Sequence, residues 1–143
     1  MENEILENTL NISYQSIKSI LNTIDTFIGD IENEKLKSIC EKKISEYDLL
    51  LDECKLLLRG IKKDPEEVGF FEKYQNLINL KIASIKKKDT FFISEYLYLS
   101  TMETQPILYS LLKEKIDEID IVKKLISINE DFISSLKNCF IMD

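Results

Sequence analysis

Between Leu10 and Ile31, apolar side chains recur at alternating steps of four and three: Leu10, Tyr14, Ile17, Leu21, Ile24, Ile28 and Ile31. A helix brings its side chains back to the same side about every 3.6 residues, so this spacing draws one narrow apolar seam along a long helix. A single amphipathic helix gains most of its stability from packing, and a second seam must therefore meet the first. Leu36, Cys40, Ile44, Tyr47, Leu51, Cys54 and Leu58 provide it, and Leu50 and Leu57 widen the stripe so that this helix touches more than one neighbour. Gly29-Asp30 supplies the stop of the first helix and Asn33 the cap of the second, which leaves room only for an antiparallel hairpin. Arg59-Gly60 then places a cation on the last turn and a glycine at the stop.

The second half repeats the logic with different punctuation. Asp64-Pro65-Glu66-Glu67 combines an N-cap Asp, Pro at the first helical position and a Glu able to reach back to the cap amide, and predicts a helix start. Its stripe is Val68, Phe71, Gln75, Ile78, Ile82 and Ile85, and the same phase continues to Phe92, Tyr96 and Leu99. An unbroken helix there would approach about 60 Å against about 40 Å for the first two, so a break is predicted between Lys86 and Thr90, with Asp89 or Thr90 capping the next helix. That helix runs from about Phe91 to Lys113 and contains Pro106, which removes a backbone donor and predicts a kink near Met102. A charged turn at Ile116-Asp117-Glu118 leads to a last helix on Val122, Leu125, Asn129, Phe132, Leu136 and Cys139, with a tail that frays after Phe140.

Three glycines and two prolines are too few for the turns of many short strands or for a phosphate-cradling loop. The fold class is therefore all-α: an up-down antiparallel four-helix bundle with an additional helical segment between the two hairpins. A chain of 143 residues closes one core, and residues 1–143 form a single domain.

Composition excludes more than it assigns. With no histidine, the chain has no imidazole base, no Ser-His-Asp triad and no His-ligated metal of its own. A net charge of −7 opposes general nucleic-acid binding, and Lys86-Lys87-Lys88 reads as a solvated helix end rather than a phosphate track. Charges interrupt every apolar stretch before it reaches the roughly 18 to 20 residues of a membrane span. Met1-Glu2-Asn3-Glu4 is acidic where a signal peptide is basic, and a cytoplasmic location is expected. Cys40, Cys54 and Cys139 have no metal-ligand spacing, and the first two lie about 21 Å apart along one helix. They read as small core residues.

Few residues are left to carry function. Glu7 extends the first seam toward a bundle end, Glu103 continues the phase of Phe92, Tyr96 and Leu99, and Asn129 interrupts the last seam. Glu103 is a weak metal candidate, since a carboxylate cage needs several converging oxygens, and no cofactor is expected. Asn129 reads as a register-fixing polar core residue. Ser100, Thr101 and Thr104 lack a base and are expected to bond carbonyls one turn back. In Phe91 to Leu99, Phe92, Tyr96 and Leu99 form the expected inner stripe, Phe91 and Tyr98 one flank, and Ile93 and Leu97 the other. That apolar circumference exceeds one core face. Two readings account for it: the helix is central and the segment Val68 to Ile85 lies over its flank, or Phe91, Ile93, Leu97 and Tyr98 are the candidate residues for a protein partner or a homodimer.

Two hairpin helices, the segment Tyr74-Gln75-Asn76-Leu77-Ile78-Asn79-Leu80-Lys81, the charged break at Lys88-Asp89, and a helix with Ile93-Ser94-Glu95 and Glu103 resemble uncharacterised bacterial members of the ferritin-like superfamily. The resemblance implies a ferritin-like bundle with a short helix in its middle crossover. Glu95 and Glu103 are the only positions that fit the family's Glu of the third helix, and no Glu-x-x-His is present, so iron chemistry does not carry over. The expected function is that of a non-enzymatic bundle acting through protein contacts or self-association; the alternative is a degenerate ferritin-like protein with a carboxylate-only metal or small-ligand site.

Overall fold

The same seams that mark the helices in the sequence close the core. The computed structural model describes residues 2–67, 89–113 and 119–140, and these form helices α1 (Glu2–Ile28), α2 (Glu34–Gly60), α3 (Thr90–Leu111) and α4 (Ile119–Cys139). The segment Val68–Ile85, Lys86 to Lys88, the expected turn at 116–118 and the tail after Phe140 lie outside the described residues. Asn33 caps α2 by accepting from the Leu36 amide at 2.9 Å, and Asp89 caps α3 by accepting from the Phe92 amide at 2.8 Å. Helix α3 continues through Pro106, which is exposed and costs the helix one backbone bond.

The end of α2 departs from the expected glycine stop. Gly60 is the last helical residue, and Lys62 takes the left-handed conformation at φ 61°. The Lys63 amide reaches back to the Leu58 carbonyl and the Lys62 amide to that of Arg59, both at 2.9 Å, which completes a Schellman stop two residues past the glycine. Residues 64–67 that follow are not helical. Instead of closing a capping box, the Glu66 amide donates to Asn11 and Glu67 accepts from the Tyr14 hydroxyl, at 2.9 and 2.8 Å, so this segment is stitched to α1.

Side-chain pairings set the direction of each helix. Lys43 meets Asp131, Tyr47 meets Asn129, and Glu53 meets Lys124, so α2 and α4 run antiparallel. Phe27 near the end of α1 meets Phe92 and Tyr96 near the start of α3, so that pair is antiparallel as well. Helix α1 packs on α2 and α3, α4 packs on the same two, and α1 also touches α4 across the centre. The order round the bundle is therefore α1, α2, α4, α3, with every neighbouring pair antiparallel. Helices α2 and α3 lie on a diagonal and run the same way. Glu67 therefore sits against Tyr14 and Lys18 at the middle of α1, whereas Asp89 opens the helix that meets Phe27 near the end of α1.

Burial follows the seams with a few one-residue departures. Helix α4 buries Val122, Leu125, Asn129, Phe132, Leu136 and Cys139 completely, as their spacing predicts. In α1 the stripe moves from Leu21 to Ile20 and from Ile28 to Phe27, and in α2 Lys43 is buried where Ile44 was expected. Leu10, Ile17, Ile24 and Ile31 keep the seven-residue repeat, and only the positions between them change sides of the seam. Helix α1 also buries Thr9, Asn11, Ser13, Gln15 and Ser16, and residues 66–67 lie against it there. The Ser13 hydroxyl donates to the Thr9 carbonyl at 2.9 Å, a local bond that lets a small polar residue enter the core.

Candidate functional site

Helix α3 combines two different faces. Toward the core it presents Ile93, Ser94, Leu97, Thr101, Thr104, Gln105, Leu108 and Leu111, a mixture of aliphatic groups and short polar side chains. The polar members are all engaged. Ser94 donates to the Thr90 carbonyl at 2.7 Å, Thr101 to Leu97 and Thr104 to Thr101, each at 2.8 Å. The hydroxyls expected to bond carbonyls one turn back do so at Thr101 and Thr104.

At the centre of the bundle, Asn129 of α4 joins these groups to α2. The Tyr47 hydroxyl donates to Asn129 Oδ1 at 2.7 Å, while Asn129 Nδ2 donates to Gln105 Oε1 at 2.9 Å and Thr104 Oγ1 at 3.2 Å. Gln105 in turn donates to the Ile126 carbonyl at 3.5 Å. Three helices are thus keyed to one another by a closed, buried network, whose register is lost if any one slides by a turn. Burial pushes the Tyr47 hydroxyl well above its ordinary pKa, with nearby Glu46 and Asp131 acting in the same direction, so it remains a donor.

Lys43 is the second keyed position and was not visible as one in the sequence. Its side chain is 2% exposed, and its ammonium reaches Glu46 at 2.6 Å and Asp131 of α4. The hydrogen bond from Lys43, opposed by partial burial, holds the Asp131 carboxyl below the usual carboxylate range. Asp131 lies 88 residues away, and no local spacing marks the pair.

On its outer side α3 carries Phe91, Leu99, Met102 and Tyr109, which are 54%, 51%, 42% and 45% exposed. At about 100° per residue they form one stripe with Tyr98 and Pro106, roughly 27 Å long from Phe91 to Tyr109. Tyr98 is half-buried at its edge, packed against the Phe140 ring at 5.2 Å with the Lys137 ammonium 5.9 Å from its centroid. Phe91 leans on the same Phe140 ring at 6.0 Å, and Tyr109 donates to Glu130 of α4.

The expected division of α3 is therefore rotated. Ile93 and Leu97, expected on an exposed flank, are 1% exposed in the core of the same chain, whereas Leu99, expected inside, is at the surface. Of the four candidate partner-face residues, Phe91 is open to solvent, Tyr98 half open, and the other two enclosed. Leu99, Met102 and Tyr109 are the members that the periodicity missed. The signal that places them outside is indirect: Ser94, Thr101, Thr104 and Gln105 share a face with Ile93, Leu97 and Leu108, and Asn129 supplies that face with polar partners.

Reactive groups elsewhere are restrained. Glu103 is exposed, and no group of three or more Asp, Glu, Cys or His converges among the described residues. Glu7 forms an ion pair with Lys63 at 3.7 Å. The three cysteines are buried and free, and burial pushes the Cys40 and Cys54 thiols up to about 12, which suppresses the nucleophilic thiolate. A shallow groove of about 420 Å³ between α2 and α4 is lined by Leu49, Leu50 and Ile128 and by the Glu53–Lys124 ion pair at 3.1 Å. No described helix is long and apolar enough to cross a membrane. The chain matches no family model, no curated protein and no solved structure.

Proposed function

We propose that the protein is a non-enzymatic helical bundle that acts in the cytoplasm through protein contacts, and that the outer face of α3 is its contact surface. The observation that supports this reading is the stripe of Phe91, Leu99, Met102 and Tyr109, each more than two-fifths exposed on one rigid helix. A helix with a filled inner face and an apolar outer face leaves surface that a second protein would remove from water. The engaged hydroxyls of α3 and the buried thiols support a role without chemistry. The diagonal, same-direction placement of α2 and α3 supports a ferritin-like arrangement of the bundle.

The test compares Leu99→Asp with Leu49→Asp, which lies on α2 at 73% exposure. Loss of an oligomer or of a co-purifying partner with the first variant and its retention with the second is the expected result. Retention with both removes the proposed surface.

A further inference from the structure

We infer that the outer face of α3 receives a cationic amphipathic helix of a partner protein; this inference rests on the contact surface proposed above. The argument begins with charge. Helix α3 carries Glu95 and Glu103 and no Lys or Arg in 22 residues, whereas α1, α2 and α4 all contain cations. Glu95 and Glu103 are both exposed, Glu95 within the stripe and Glu103 along its margin, and Glu130 stands at its α4 edge bonded to Tyr109. Among the described residues, Lys137 beside Tyr98 and Lys113 beyond Tyr109 are the cations at the margin, fewer than the three carboxylates. The whole chain, these groups included, carries −7, so its overall charge has the same sign as this local excess.

Shape supports a helix as the occupant. The stripe is straight, about 27 Å long, and spaced so that one helix of about 18 residues covers it, with anchors at its own i, i+3/i+4 and i+7 positions. A second copy of this chain fits less well. Paired antiparallel about the midpoint of the stripe, two copies set Glu95 of one near Glu103 of the other; paired parallel, they set Glu95 against Glu95. Both arrangements bury acid beside acid between two bundles of charge −7. Lysines flanking the apolar face of an incoming helix answer the same carboxylates.

The test titrates the full chain with a synthetic peptide of about 18 residues, leucine on one face and lysine on the other, against a second peptide carrying glutamate in place of lysine. The expected result is binding of the lysine peptide alone. The double variant Leu99→Ser/Met102→Ser, which leaves the charge unchanged and touches only exposed positions, weakens it by at least about tenfold. Glu95→Gln/Glu103→Gln also weakens it and flattens its salt dependence. Equal binding of the lysine peptide to Leu99→Ser/Met102→Ser overturns the inference, because attraction to the net charge then suffices. Binding of both peptides, or a dimer in light scattering that Leu99→Ser/Met102→Ser disperses, also overturns it but leaves α3 as a contact surface. A monomer that binds neither peptide overturns both readings.

Discussion

Helices α3 and α4 are neighbours of nearly equal length, 22 and 21 residues, that run antiparallel and share one polar network, yet they distribute their apolar groups in opposite ways. Helix α4 separates its residues cleanly, with Val122, Leu125, Phe132 and Leu136 inside and Lys123, Lys124, Glu130 and Lys137 outside. Helix α3 puts Ser94, Thr101, Thr104 and Gln105 inside and Phe91, Leu99 and Met102 outside. The difference shows that burial is decided by which groups find partners, and hydropathy predicts it only when the two faces contrast. An interior threonine bonded to its own helix is nearly as well placed as a valine, and an exterior leucine costs little until another surface covers it.

The sharpest way to break this comparison is through the inner faces. Leu97→Ala in α3 and Leu125→Ala in α4 remove side chains that are 1% and 0% exposed, and each is expected to cost about 2–5 kcal/mol in urea unfolding. A cost below about 1 kcal/mol at Leu97 would mean that α3 uses another face. Asn129→Leu comes next. It strands the buried Tyr47 hydroxyl and the Gln105 carbonyl, and at about 1–3 kcal/mol for each orphaned polar group the expected loss is roughly 2–6 kcal/mol.

The outer side of α4 is where charge contributes, and pH should expose it. Because Lys43 holds the folded-state pKa of Asp131 below its ordinary value, the unfolded chain binds more protons in that range. The contribution is fully present above the unfolded carboxylate value near 3.9 and is lost as pH falls through the depressed folded value. Acid titration of stability should therefore have a shallower limb below about pH 4 in Lys43→Met than in the wild type, and equal slopes would show that the pair does not titrate as a unit. The smallest effects belong to the outer positions. Leu99→Ser in α3 and Lys123→Ser in α4 should each change stability by less than about 0.5 kcal/mol, although only the first removes apolar surface. A large loss at Leu99 would place it under other parts of the same chain and remove it from any contact surface.

How much of this was legible in the sequence varies by helix. The stripe of α4, from Val122 to Cys139, is entirely buried as spaced, and the caps at Asn33 and Asp89 hold their amides as expected. Capping is local, three residues long, and its chemistry is written beside it. Asn129 was recognisable as a polar core residue, but its partners were not, since Tyr47 and Gln105 lie 82 and 24 residues away. Lys43 was missed for the same reason. The left-handed stop at Lys62, two residues past the glycine, shows tertiary context overriding a local signal: residues 66–67 bond to α1, and the chain must turn where they can reach it.

The sequence by itself determined that this chain is a bundle of long helices, because a 3.6-residue apolar period with few glycines and prolines allows little else, and it excluded histidine chemistry outright. Only the tertiary structure decided which side of α3 faces inward. That choice turns on a network spanning three helices, in which Asn129 pairs with Tyr47, Thr104 and Gln105, and such a network has no energy until the helices meet. Once it forms, the hydroxyl-bearing face of α3 must turn to the core, and the aromatic and aliphatic groups opposite are carried to the surface.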